Sequence, residues 1–161
     1  MILGSADLSD DEFLKLFLAC NLPPEKFRHA DHLRLAWLHT RRQAPGNAVS
    51  YVRNDVRRYA IHNGVEHLFH ETITIAWVLL VATHREESFQ AFLNDNRARL
   101  NLNLLHHFWT PSLLASNEAR TRWVPPDLLE LPLPDRTNLT ADEAPTIIPR
   151  ANAFDLSQVR N

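Results

Sequence analysis

The chain has 161 residues, 45% of them hydrophobic and 22% charged, a size and balance that suit one globular domain with one core. A formal net charge of −2 gives no general reason to expect nucleic acid or an anionic membrane surface as a partner. The single cysteine, Cys20, excludes an intramolecular disulfide and a four-cysteine zinc cluster, and fits a reducing cytoplasm.

The first residues carry no basic stretch followed by a long apolar one, so no secretory signal is expected. The longest apolar run, Ile73 to Ala82, is shorter than the roughly 20 residues that a bilayer span needs. Helix formers such as Leu, Ala, Arg and Glu dominate, which favours an all-α fold.

In chain order, Ser9-Asp10-Asp11-Glu12 is a capping box that opens a short helix carrying Phe13, Leu14 and Phe17 and ending before Pro23-Pro24. A second helix is expected from His29 to Arg42, with Ala30, Leu33, Ala36 and Trp37 on one stripe. Ala44-Pro45-Gly46-Asn47 breaks the pattern. The third helix is expected from Ala48 to His62, with Val49, Val52, Val56, Tyr59 and Ala60 at helical spacing and Gly64 as its stop.

The fourth, from about Glu66 to His84, is the most apolar segment of the chain, yet it opens with His67, His70, Glu71, Thr72 and Thr74. A helix that is apolar all round is buried, so those polar groups need partners or a ligand. A fifth helix is expected over Glu86 to Asn94 and a sixth through Leu100, Leu104, Leu105, Phe108 and Trp109. Ser116 would then cap a short one that runs to Arg122. From Val124 onward, Pro125, Pro126, Pro132, Pro134, Pro145 and Pro149 prevent a regular helix. The expected organisation is a helical domain over 1–123, a compact irregular bundle, followed by an extended proline-rich segment over 124–161, with Leu128, Leu131 and Leu133 packed on the body.

Nine histidines invite a metal reading. His29 and His32 are three residues apart and share a helix face, and His70 and Thr74 share another. Two such faces meeting in a bundle would join His29, His32 and His70 as ligands, with Glu71 as ligand or general base. That donor set suits Fe, Mn, Zn or Cu without choosing among them. Asp31 would be a ligand, would assist catalysis by orienting a histidine, or would serve merely as a helix N-terminal charge. Thr74 would bond a ligand or its own helix carbonyl. Arg34, with Arg41, Arg53, Arg57 and Arg58, would line an entrance for an anionic substrate or form a solvated basic face. Each histidine taken alone reads more readily as a satisfied structural or surface residue. Trp37, Trp77, Trp109 and Trp123 read as core.

Other motifs are excluded. Thr74 stands where a zincin H-E-x-x-H needs its second histidine, and glycines only at 4, 46 and 64 permit no phosphate-binding loop or nucleophile elbow.

Three stretches resemble a family of small, all-helical bacterial proteins. They are Phe27-Arg28-His29-Ala30-Asp31-His32-Leu33-Arg34-Leu35-Ala36-Trp37, then Phe69-His70-Glu71-Thr72-Ile73-Thr74, where the family prefers tyrosine at position 69, and Ser116-Asn117-Glu118-Ala119-Arg120 followed by Pro126-Asp127-Leu128. The resemblance covers roughly residues 27–132 and implies a recurring design, with no activity, substrate or cofactor attached.

Three functions follow as expectations. The first is a cytoplasmic metal-dependent enzyme, hydrolase or oxidoreductase, acting on a small molecule. The second is a small-molecule-binding or regulatory protein that uses the same polar pocket. The third is an interaction module whose histidines form a buried hydrogen-bond network. None involves nucleic acid or a membrane, and self-association as a homo-oligomer is left open.

Overall fold

The computed structural model describes residues 5–97 and 100–133. Residues 134–161, most of the expected C-terminal segment, lie outside the described residues. The architecture is all-α. Its helices are α1 (Asp10–Leu18), α2 (His29–Arg42), α3 (Pro45–His62), α4 (Glu71–Ala82), α5 (Phe89–Asn96) and the short α6 (Pro111–Leu114) and α7 (Asn117–Thr121). Tight 3-10 turns at Ser5–Asp7, Pro24–Lys26, Glu66–Leu68 and Leu102–His107 link them. No strand occurs among the described residues.

Helix α4 is the centre of the bundle, and it packs against α2, α3 and α7. Its sequence requires this position: Ile75 through Ala82 are all buried, so no face is left for water. Around it lie Phe13 and Phe17 of α1, Leu33, Leu35 and Trp37 of α2, Val52, Val56 and Tyr59 of α3, and Phe92 of α5. Phe108 and Trp109, both fully buried, close one end. The chain after α7 packs on this body through Val124, Leu131 and Leu133, whereas Leu128 stays exposed. No helix among the described residues is long and apolar enough to cross a membrane.

Several boundaries differ from expectation, among them α5, which runs over Phe89–Asn96 where Glu86 to Asn94 is expected. The fourth helix begins at Glu71, because His70 is extended and caps it, and Glu66–Leu68 forms a separate turn. The leucine-rich stretch before Phe108 is a 3-10 helix. Helix α3 starts three residues early, at Pro45, whose fixed φ and missing N–H suit a first helical position.

Helices α1 and α3 end in the same way. After α3, Gly64 has φ +69, its N–H donates to Ile61 O at 3.1 Å, and Val65 N–H donates to Ala60 O at 2.8 Å, the two bonds of a Schellman stop. After α1, Cys20 N–H donates to Phe17 O at 2.9 Å and Asn21 N–H to Leu16 O at 2.8 Å, but the left-handed position is occupied by Cys20 itself, with φ +57. A side chain there costs about 1 kcal/mol or more. Cys20 is half-buried against the core, so its loss offsets part of the relief. We expect Cys20→Gly to raise the urea midpoint by the equivalent of about 0.5 kcal/mol. A clear drop would mean that packing outweighs strain at this position.

Candidate functional site

The first turn of α2 and the start of α4 face a common cavity. It has a volume of about 400 Å³ and lies between α2, α3 and α4. From α2 and the residues before it come Phe27, His29, His32 and Ala36. From α3 come Val52, Val56, Tyr59 and Ala60, and from the start of α4 come Phe69, His70, Ile73, Thr74 and Trp77. Residues of the first two quoted motifs, more than thirty positions apart in the chain, thus share one wall. Apolar side chains dominate, and a few polar groups are set among them, the usual composition of a small-molecule pocket.

The polar groups are held firmly. His29 Nε2–H donates to Leu100 O at 2.9 Å, and the ring lies edge-on to Trp77 with centroids 4.8 Å apart. His32 Nδ1–H donates to Arg28 O at 2.9 Å, one turn back on its own helix, and the ring lies on Phe27 at 4.0 Å. A carbonyl only accepts, so both tautomers are determined. Phe27 in turn meets Tyr59 and Phe17, with centroids 5.0 and 4.7 Å away. The Tyr59 hydroxyl donates to Leu22 O at 2.6 Å, and burial pushes its pKa up to about 12. It therefore serves as a fixed neutral wall.

His70 is engaged at both nitrogens. Nδ1 accepts the Ile73 N–H at 3.2 Å, capping α4, and Nε2–H donates to Leu114 O at 2.8 Å. Its ring is buried and has no lone pair to spare. To serve as a metal ligand, as expected from the sequence, His70 would have to release one of these two bonds.

Three further expected site residues are also committed elsewhere. Asp31 accepts from the Ser5 hydroxyl and, at 2.9 Å, from the Arg28 N–H, so it closes the first turn of α2. Arg34 is buried with all its guanidinium nitrogens occupied. They bond Asp10 at 2.7 and 2.9 Å, Ser5 O at 2.7 Å and Leu8 O at 2.8 Å, over the Phe13 ring. It ties the N-terminal turn to α2. Glu71 is buried and ion-paired with Arg53 of α3. Of the seven expected residues, His29, His32, His70 and Thr74 line the cavity, and Asp31, Arg34 and Glu71 do not.

No group of three or more His, Cys, Asp or Glu side chains converges to hold a metal among the described residues. Neither His106 nor His107, at the end of the 3-10 turn, is part of the cavity wall. Arg57 and Arg58 are exposed and pair with Glu66 and Asp55. The residues that sequence reasoning assigned elsewhere are Tyr59, Trp77, Val52 and Val56. They read as core, and they are buried, but their edges also bound the cavity.

Burial holds the imidazoles of His29, His32, His39 and His70 below their ordinary value of 6.5, and the accepting carbonyls of Leu100, Arg28 and Leu114 oppose this for His29, His32 and His70. The unfolded chain therefore binds more protons than the folded one as pH falls below about 6.5. The stabilisation is full above that pH and is lost as pH drops toward the folded values. Asp55, held above its usual range by burial, acts with the opposite sign only at lower pH. We expect the urea midpoint to fall between pH 7.5 and pH 5.5. A constant or rising midpoint would refute the neutral, buried assignment of these rings.

No protein-family model, no curated protein and no solved structure matches this chain.

Proposed function

We propose that the protein binds a small organic molecule in the cavity between α2, α3 and α4, in a binding or regulatory role. One observation carries this reading: two distant motifs meet on an apolar cavity of about 400 Å³ in which His29 and His32 each keep one ring nitrogen clear of the protein's own hydrogen bonds. A cavity of this size falls within the range of ligand sites, and polar groups are otherwise costly to leave there.

The test is to plug the space. Thr74 is half-buried on the wall, and Thr74→Trp would fill much of the volume. The wild-type chain is expected to gain thermal stability with small aromatic probes such as 2-naphthol, rising with probe concentration. The Thr74→Trp variant, its helicity checked by circular dichroism, is expected to lose at least tenfold in affinity. Equal probe binding by a folded plugged variant would remove the cavity from consideration.

A metal-dependent enzyme has one supporting observation. His29 and His32 each rest the far ring nitrogen on a backbone carbonyl, as metal-bound imidazoles commonly do. Such a centre needs a further donor, and His70 can supply one only by releasing the α4 cap or Leu114. Near-stoichiometric Fe, Mn, Zn or Cu in untagged protein, lost in His32→Phe, would favour this reading over the first.

A further inference from the structure

If that cavity binds a ligand, the two histidine tautomers define the ligand's polar end. His29 uses Nε2–H on Leu100 O, which leaves the lone pair of Nδ1. His32 uses Nδ1–H on Arg28 O, which leaves that of Nε2. Three residues apart on α2, the two histidines share one face and both line the cavity, and each keeps one acceptor nitrogen outside the protein's own hydrogen bonds.

The surroundings exclude charged ligands. Glu71 is taken by Arg53, and Asp31 by Ser5 and the Arg28 N–H, and neither carboxylate is on the wall, so a cation finds no counter-charge. An anion meets two lone pairs, and Arg34, the nearest buried cation on α2, is fully engaged with Asp10 and the N-terminal turn. Burying an unpaired charge there is strongly unfavourable. A neutral group that donates a hydrogen is what remains. Phe27, Tyr59, Phe69 and Trp77 supply aromatic surface for the rest of the molecule. A phenol combines both requirements, since its O–H is a stronger donor than that of an aliphatic alcohol.

We propose that the cavity takes a neutral phenolic or similarly hydroxylated aromatic molecule, whose hydroxyl donates to Nε2 of His32 with His29 Nδ1 as the neighbouring acceptor.

Equilibrium dialysis of the full chain at pH 7.5 with four probes tests this: naphthalene, 2-naphthol, 2-methoxynaphthalene and 2-naphthoate. The expected result is 2-naphthol bound about tenfold more tightly than its methyl ether, the difference that one hydrogen bond makes, with naphthoate weakest. His32→Phe keeps an aromatic ring against Phe27. It is expected to abolish the preference for naphthol over the ether while both still bind, and His32→Gln serves if the first variant fails to fold. A wild-type chain that binds the ether or naphthoate as well as naphthol overturns the hydroxyl assignment but leaves the cavity reading standing. A preference that survives in His32→Phe also overturns it. If none of the four probes binds, naphthalene included, the cavity reading fails and this inference fails with it.

Discussion

Replacing His70 by Ala is expected to lower stability by about 3 kcal/mol, with neither added metal nor small-molecule probe restoring the loss. The side chain joins two segments that are 44 positions apart. Its Nδ1 takes the Ile73 N–H, one of the donors that the start of α4 leaves without a helical partner. Losing such a cap costs about 1 kcal/mol. Its Nε2–H satisfies Leu114 O at the end of α6, and a buried carbonyl left without a donor costs roughly 1–3 kcal/mol. The imidazole is 8% exposed, so water does not readily replace it. His70→Asn is expected to retain the cap, since a short amide oxygen reaches the same N–H, but to lose Leu114, giving roughly half the effect. Urea denaturation of both variants measures this. A loss below about 1 kcal/mol in the alanine variant would mean that these two bonds do little for the fold, and would leave His70 free to act as a ligand.

That expectation also marks how far the sequence could be read. Local signals carried well. The Ser9–Glu12 capping box is present with both reciprocal bonds, and Ser116 caps α7 by accepting from Ala119 N–H at 3.1 Å. Helix α2 runs over the expected His29 to Arg42. These features depend on residues three or four apart, so the sequence contains them directly.

The start of α4 was misjudged because neither glycine nor proline separates Glu66 from Glu71, and because histidine is not among the usual capping residues. The leucines before Phe108 fit a helix by spacing, yet the segment is wound more tightly and buries Leu104 and Leu105. The site was legible only in part. His29 and His32 share a face by their spacing, and the structure brings both to a cavity wall. What each remaining polar residue does was set by partners far along the chain: Asp10 for Arg34, Ser5 for Asp31, Arg53 for Glu71 and Leu114 for His70. A motif read along one strand of sequence assigns donors and acceptors to a ligand by default. Folding assigned three of these four to backbone or ion-pair partners before any ligand could use them, and it divided His70 between Ile73 and Leu114.

Thr72 carries the second large expectation. It is fully buried on α4, where its hydroxyl donates to Arg122 O at 2.8 Å and accepts from the Val124 N–H at 3.2 Å. The Val124 carbonyl is in turn held by the Trp109 indole N–H at 3.0 Å, so one threonine and one tryptophan fix the path of the chain as it leaves α7. Thr72→Val keeps the shape and the β-branch but orphans the buried Val124 N–H and frees the part-buried Arg122 carbonyl, and is expected to cost about 2–3 kcal/mol. Thr72→Ser keeps both bonds and removes one methyl group, a loss of about 1 kcal/mol. The ordering of the two variants is the decisive readout: if serine proves as damaging as valine, packing rather than hydrogen bonding holds this junction. Amide exchange at Val124 supplies a local check, since only the valine variant frees that N–H. The consequence extends to the cavity. Thr72 lies between His70 and Thr74, so loosening its anchor loosens the wall they share. The valine variant is therefore expected to bind an aromatic probe more weakly although it contacts none, and the serine variant to bind as the wild type does.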